Sequence, residues 1–566
     1  MQPRRRHMGA ETGLLEGWHR GCGGKRRLSW WCGRVWMVWL LQVVGAGWVS
    51  EAQARVYATH VRLEKRPDGA GGGVAIRYIL NEPATAGVEI EVWDGTQVVR
   101  TLTVKAGDPG ALRGENEVIW DGRDAAGTPV CCGPYRVRIT AAAQGFQDWA
   151  QISDDFAPGQ YVYAPTGIAV VRDSASPYYG RVLVANGVPG PNAEFLPGDR
   201  PGILKFHADG SEVEEGSWSD AGRSWLGDGA SPAELEVATG DRVYVLDRTR
   251  QELLVMDPTA AAASVRRAWG PDQRPATGTV MTGFAVGEGP AGPGLWMAQS
   301  AVASDPGVYL WVLNPDGTAM AGDQGRLVVR AGAGSDLTVA PWDVAVGPGG
   351  GLFVIQSRTA AGDAAPRVVA FPAWTNQAAP LEQGLWAMGS GLDLLRGATS
   401  VAVDPTGRYV AVAFRGAVSG GFFVGGRVIV LDAVTGAWVT TLPGADQQYT
   451  DVDWDAVGNL YVANLSESVW RVYSPPGSNA ATTVSVAAVE LGEGSPRPYL
   501  QVLRFEGGGL VLMVTGRPQT VYEIEASSDL STWLVVGTVT VGEAGRQEVT
   551  VPISGPRRFY RTRSGP

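Results

Sequence analysis

The sequence predicts an all-β protein: a β-sandwich, a six-bladed β-propeller and a small C-terminal β-sandwich. Three observations carry this. Gly 78 and Pro 36 in 566 residues favour many turns and short strands over helices. Hydrophobic residues make up 45% and charged residues 18%, which supplies a large core and is not the composition of a disordered chain. A cadence of short apolar strands recurs six times through the middle of the chain. A chain of this length is expected to hold about two to four domains.

Residues 1–54 carry eight Lys/Arg against three Glu, so the remaining residues sum to −15 while the whole chain is −10. "KRRLSWWCGR" (25–34) is basic, "VWMVWLLQVVGAGWV" (35–49) is apolar but broken by Gln42 and glycines, and "EAQA" (51–54) ends in small residues. This order is that of a secretory signal peptide, with cleavage expected between Ala54 and Arg55. The alternative is an uncleaved anchor helix. No second apolar run of spanning length follows, so the expectation is a secreted, periplasmic or cell-surface chain with no membrane span after signal removal. An acidic body without a basic run excludes nucleic acid as an expected partner, because phosphate neutralisation needs clustered Lys/Arg.

Residues 55–145 read as alternating strands, among them "VAIRYIL", "GVEIEVWDG" and "QVVRTLTV", closing on "NEVIWDGRDAAGTPVCCGPYRVRITA". Trp120 and Tyr135 are the expected core anchors of a turn-rich hairpin. This last piece resembles the Ig-like domain of the flagellar hook-capping protein, with Trp120, Asp121, Gly122, Asp124, Gly127, Gly133 and Tyr135 matching its pattern. The resemblance implies a sandwich spacer of a kind reused in secreted bacterial proteins.

Cys22 and Cys32 fall in the signal, which leaves Cys131 and Cys132 side by side. Adjacent Cα atoms stand about 3.8 Å apart, below the usual disulfide range, so free or differently paired thiols are expected. There is no CxxC and no Cys/His cluster, and beyond residue 54 the only histidines are His60 and His207. The expectation is therefore no zinc site, and no Ser–His–Asp, Cys–His or multi-histidine chemistry.

Within residues 156–492 the six first strands read "PTGIAV" (165–170), "PAELEV" (232–237), "MTGFAV" (281–286), "PWDVAV" (341–346), "ATSVAV" (398–403) and "YTDVDW" (449–454). Each is followed by a turn and an apolar strand, such as "RVLVAN" (181–186) or "NLYVAN" (459–464). A third strand and a weaker fourth complete each unit, and several third strands end in Asp/Asn/Pro/Gly turns. Four strands every roughly 50–67 residues, six times over, describe the blades of a propeller, which bury their faces only by stacking round an axis. "SVAVDPTGRYVAVA" and "DVDWDAVGNLYVAN" resemble the cadence of NHL and SMP-30/gluconolactonase-like propellers. That resemblance implies the architecture and, for SMP-30-like enzymes, a divalent metal held at the propeller mouth by carboxylate and amide oxygens.

The aspartates of "DVDWDAVGNLYVAN" (451–464) belong to an inner strand and its turn. A calcium loop would need a glycine at its sixth position and a glutamate at its twelfth, where Val462 stands. Strand alternation sends Val452 and Trp454 between blades, and Asp451 and Asp453 toward the axis. Aligned across blades, one axis-facing row reads Gly167, Glu234, Gly283, Asp343, Ser400, Asp451, and the next reads Ala169, Glu236, Ala285, Ala345, Ala402, Asp453. Acidic residues thus come from the second, fourth and sixth blades, with no Lys or Arg in either row. The second strands are expected to end at the same mouth, at Asn186, Asp247, Gln299, Gln356 and Asn464. These oxygens suit a hard cation, so the expected metal ligands are Glu234, Asp343, Asp451, Asp453, Asn186, Asp247 and Asn464, with calcium as the ion. The alternative is a hydrated acidic channel without metal.

Residues 495–566 form a further all-β unit. Tyr522, Ile524 and Ala526 alternate inward, the chain turns at Ser528–Asp529, and Trp533 is expected to be buried. "YEIEASSDLSTW" and the terminal "FYR" resemble C-terminal fibronectin-III-like modules of secreted bacterial proteins. The whole reads as an extracellular or cell-surface binding or scaffold protein, taking a protein or carbohydrate ligand at the propeller mouth. A metal-dependent hydrolase of the lactonase type is the first alternative, and a purely structural surface protein the second.

Overall fold

The computed structural model describes residues 55–566 apart from 67–72, 129, 131–132, 228, 275–278, 302–304, 357–365, 378, 390–391, 393–396, 420–421, 492–498, 507–508, 516–518, 543–545, 553–558 and 565–566. The expected signal peptide and the Cys131–Cys132 pair lie outside the described residues. No helix among the described residues is long and apolar enough to cross a membrane.

Six four-stranded antiparallel sheets make up the propeller. Their innermost strands are Pro165–Val170, Leu235–Ala238, Thr279–Gly289, Pro341–Val346, Ala398–Val403 and Tyr449–Trp454. Both faces of every blade are apolar, so each sheet buries itself only against its neighbours. Separate clusters fill the gaps between blades: Leu235, Val243 and Leu254 meet Ala169 and Leu183 of blade one, and Trp454 and Val462 meet Ala411 and Val430 of blade five. The ring closes through the N-terminal side of the chain. Ala150–Gln151 is the outermost strand of blade six, with Gln151 opposite Tyr473 and Ala150 opposite Ser474. Blade five carries an extra hairpin of Ala417–Ser419 and Phe422–Val424 that the repeat pattern did not announce.

A two-sheet sandwich is built from segments on both sides of the propeller in the chain. One sheet orders Ala58–Lys65, Val74–Leu80 and Gly114–Trp120; the other orders Gly477–Val484, Gly133–Phe146, Gly87–Trp93 and Val98–Val104. Trp120 and Tyr135 are buried in its core with rings edge-on at 5.2 Å. Residues 477–491, assigned above to the propeller span 156–492, pair instead with Gly133–Phe146, as does Val489–Leu491. The last propeller strand is Val469–Ser474, so the propeller is inserted into the sandwich rather than following it. The reason is chemical: "SNAATTV" alternates exposed positions with half-buried or buried ones, which suits a sheet with one wet face and not a blade buried on both.

Two three-stranded sheets form the C-terminal unit, around Leu512, Val514, Tyr522, Ile524 and Val551. Trp533, expected in that core, is only half-buried; it lies under the guanidinium of Arg561, 4.1 Å from its ring.

Candidate functional site

Innermost propeller strands are sheet edges, and an edge presents unpaired N–H groups. They line a channel too narrow for much water, so those donors need acceptors from the chain itself. The acidic residues of blades two, four and six supply them, each reaching to the next blade. Glu234 accepts the N–H of Phe284 at 3.0 Å and Glu236 that of Val286 at 2.7 Å. Asp343 accepts Val401 N–H at 2.9 Å through Oδ2 and its own neighbour Val344 N–H at 2.7 Å through Oδ1. Asp451 accepts Ile168 N–H at 2.7 Å through Oδ2 and Val452 N–H at 2.9 Å through Oδ1. Asp453 accepts Val170 N–H at 2.9 Å. The alternation of acidic and small residues is thus a latch repeated three times round a six-membered ring. Small residues opposite are part of it: a Cβ on Gly167 would run into the Ala233 carbonyl, and one on Gly283 would stand 2.8 Å from the Trp342 carbonyl.

Glu234, Asp343, Asp451 and Asp453 do line one axial cavity, of about 50 Å³, together with Glu236, Ser400 and Arg172. Burial pushes Glu234, Glu236 and Asp451 well above the usual carboxylate range and Asp343 up to about 7. Neighbouring carboxylates add to the rise at Glu234 and Asp451. Two cations from outside the aligned rows nevertheless reach the column, which corrects the expectation of uncompensated charge. Arg172, just past the first inner strand, pairs with Asp453 and donates to the Trp454 carbonyl at 2.7 Å. Arg248 approaches Glu234 Oε2 to 3.7 Å while lying over Trp342.

The second-strand residues do not join this cavity. Asn186, Asp247, Gln356 and Asn464 each end a strand beside the segment entering the first strand of the same blade and tie that segment down, whereas the buried Gln299 amide makes no hydrogen bond. Asn186 Oδ1 accepts Ala164 N–H at 3.0 Å, and its Nδ2 donates to the Gly198 and Arg200 carbonyls. Asp247 accepts the Ser231 hydroxyl at 2.7 Å and pairs with Arg250 at 2.8 Å and Arg223 at 3.3 Å. Gln356 Oε1 accepts Thr338 N–H at 2.9 Å, and Asn464 Nδ2 donates to Gln447 Oε1 at 2.6 Å.

Calcium asks for about six to eight free oxygens round one point. Both oxygens of Asp343 and of Asp451 are taken by N–H donors, and Asn186, Asp247 and Asn464 are held in loops. Among the described residues no three of the expected carboxylates bring one oxygen each within 4.8 Å of one another. The expected calcium set is therefore not offered by this arrangement. The histidines run the other way: expected to be too few for metal chemistry, His60 and His207 meet between sandwich and blade one, ring centroids 4.5 Å apart.

Two features escaped the sequence reading. Five inner strands skip one partner residue, at Thr166, Thr282, Trp342, Thr399 and Thr450. The bulge turns each threonine hydroxyl to a carbonyl that opens the next inner strand: Pro232 at 2.6 Å, Pro341 at 3.2 Å, Tyr449 at 3.0 Å and Pro165 at 2.8 Å. A Thr at the second position of "PTGIAV", "MTGFAV", "ATSVAV" and "YTDVDW" was the available signal. The second is a cleft of about 550 Å³ on the face that carries the turns between first and second strands. Gly287–Pro290, Gly347–Gly350, Asp404 and Pro405 supply its rim, with Trp296, Trp374 and Arg172 below. Turn residues have no strand periodicity, so nothing in the repeat marked them.

Sheet order and axial latches together define an all-β propeller protein. No family model and no curated protein matches the chain. Solved structures similar to it include the β-propeller domain of Myceliophteria thermophila Cps50 (Swd1), at 10% identity and a TM-score of 0.33, over 75% of this chain and 96% of that one. A luciferin-regenerating enzyme is similar at 13% identity and 0.33, over 58% and 95%. A calcium structure of a Trichoderma reesei Carbohydrate-Active Enzymes Family AA12 protein is similar at 13% and 0.37, over 59% and 96%. At these scores the neighbours carry no weight for ligand or activity, and the fold rests on the sheet order itself.

Proposed function

We propose that the protein is an extracellular or cell-surface binding protein that takes a protein or carbohydrate ligand in the turn-face cleft between blades three and five. The carrying observation is a contrast of spaces. The axial cavity of about 50 Å³ has room for a few waters, and Asp343 and Asp451 spend both carboxylate oxygens on backbone donors. The cleft of about 550 Å³ has the size of ordinary ligand sites and combines aromatic floor with polar groups from Arg172, Glu288 and Asp404. The basic, apolar and small-residue order of residues 25–54 supports export. A lactonase-type hydrolase would need several free carboxylate oxygens at one centre; the latches occupy both oxygens of Asp343 and of Asp451 and leave Glu234 Oε2 as a buried oxygen without a hydrogen bond.

Ala373 is exposed at the cleft and supports no core packing, so Ala373→Trp fills the space without disturbing a blade. Immobilised wild-type chain and this variant are screened on glycan and peptide arrays. A ligand held by wild type and lost in Ala373→Trp supports the reading. Equal binding by both puts the ligand outside the cleft and sinks the reading, and no binder on either array sinks it in favour of a structural surface protein. Lactone hydrolysis abolished by Asp451→Asn would favour the enzyme instead.

A further inference from the structure

We propose that His60, His207 and Glu214 form a divalent-metal site, of the class that zinc occupies, which ties the N-terminal sandwich to blade one. One ligand atom from each of the three lies within 4.8 Å of the others, and no other such group of His, Cys, Asp or Glu occurs among the described residues. His60 Nε2 stands 2.6 Å from Glu214 Oε1, and His207 Nε2 stands 3.6 Å from Glu214 Oε2. Both imidazoles thus aim the same nitrogen at one carboxylate. His60 Nε2 is also shut off from solvent and makes no hydrogen bond of ordinary geometry, despite the closeness of that oxygen. Two nitrogens and a carboxylate oxygen are a common three-ligand zinc set, with the fourth position left to water. Glu214 is exposed, so that position opens to solvent.

Local backbone holds the three in place. His60 adopts φ 51, in the left-handed region that a histidine rarely enters, where the strand register breaks between Thr59 and Arg62. Without that break the sandwich strand would carry its side chain past the blade. His207 sits at the corner of a tight hairpin, accepting Gly210 N–H at 2.9 Å and donating to Ser211 O at 2.9 Å, and Glu214 lies in the turn that follows. Two cations stand nearby, and each has another partner. Arg62, 3.2 Å from Glu214 Oε1, also pairs with Glu115 at 2.9 Å, and Arg181 pairs with Glu215.

The test uses the full chain carrying Cys22→Ser, Cys32→Ser, Cys131→Ser and Cys132→Ser, so that no thiol competes. It is stripped with EDTA and titrated with Zn2+ alone, read by metal analysis after desalting and by melting temperature. About one equivalent should be retained, with a rise in melting temperature, since the ligands assemble only in the fold. Glu214→Gln, at an exposed carboxylate, should keep the fold by circular dichroism and weaken Zn2+ binding about tenfold or more. His60→Gln should do the same. Retention below about a tenth of an equivalent, or retention unchanged in Glu214→Gln, overturns the proposal and leaves the three side chains as a hydrogen-bonded cluster.

Discussion

Asp343 shows how one side chain can serve the fold and burden it together. Its two oxygens satisfy Val344 and Val401 N–H groups that otherwise face a nearly dry channel. Burial lifts its pKa from 3.8 to about 7, with Glu234 facing it across the axis. An acid raised in the fold takes its proton there first, so between about pH 4 and 7 the native chain holds more protons than the unfolded one. Stability then falls as pH rises through that window. Asp343→Asn removes the titration but leaves one N–H without an acceptor. Wild type should therefore melt above the variant at pH 5, and the gap should shrink by pH 8. Calorimetry across that range checks it; a gap independent of pH would show that Asp343 stays charged throughout.

At the scale of the element, the inner strands are where sequence repetition and packing meet. Thr166, Thr282, Thr399 and Thr450 sit at bulges, and each hydroxyl bridges its own second strand to the start of the next blade, as Thr450 does between Ala463 and Pro165. Adjacent inner strands approach so closely that glycine is needed where two backbones meet. Gly167→Ala should press its methyl on the Ala233 carbonyl and the Glu234 Cα, 3.0 Å away, and cost about 1–3 kcal/mol. Gly133→Ala, with nothing within 4 Å of the added methyl, should be neutral within about 0.5 kcal/mol. Urea unfolding of both variants compares them, and equal midpoints would mean that the inner strands can shift apart freely.

For the whole molecule, the consequence of inserting a propeller into a sandwich is shared stability. Gly133–Phe146 is flanked on one side by Gly87–Trp93 and on the other by Gly477–Val484, from beyond the propeller. Residues 55–146 alone would expose that edge and uncover Val137 and Tyr135, against which Val489 and Leu491 pack. That fragment should fail to fold, whereas 55–146 joined by a flexible linker to 477–491 should give a cooperative melt. Near-ultraviolet circular dichroism and size exclusion distinguish the two; a folded 55–146 fragment would show that the returning strands merely decorate the sandwich.

The sequence by itself determined the six blades and the faces of their inner strands. "YTDVDW" announces by its period of two that Asp451 and Asp453 face one way and Val452 and Trp454 the other, and Asp451, Asp453 and Arg172 do line the axial cavity. Repetition made the six blades legible, because each must bury the same two faces. Tertiary structure decided the rest. It alone showed that the axial carboxylates accept N–H groups of the next blade, since an edge strand's unmet donors have no mark in the sequence. It brought Arg172 and Arg248 to a column whose own rows hold no cation. It carried residues 477–491 back across the propeller to a sheet begun at Gly87, a pairing that local pattern cannot encode. And it set His60 beside His207, because side chains from distant segments become neighbours only when the sandwich strand and the blade-one hairpin are packed together.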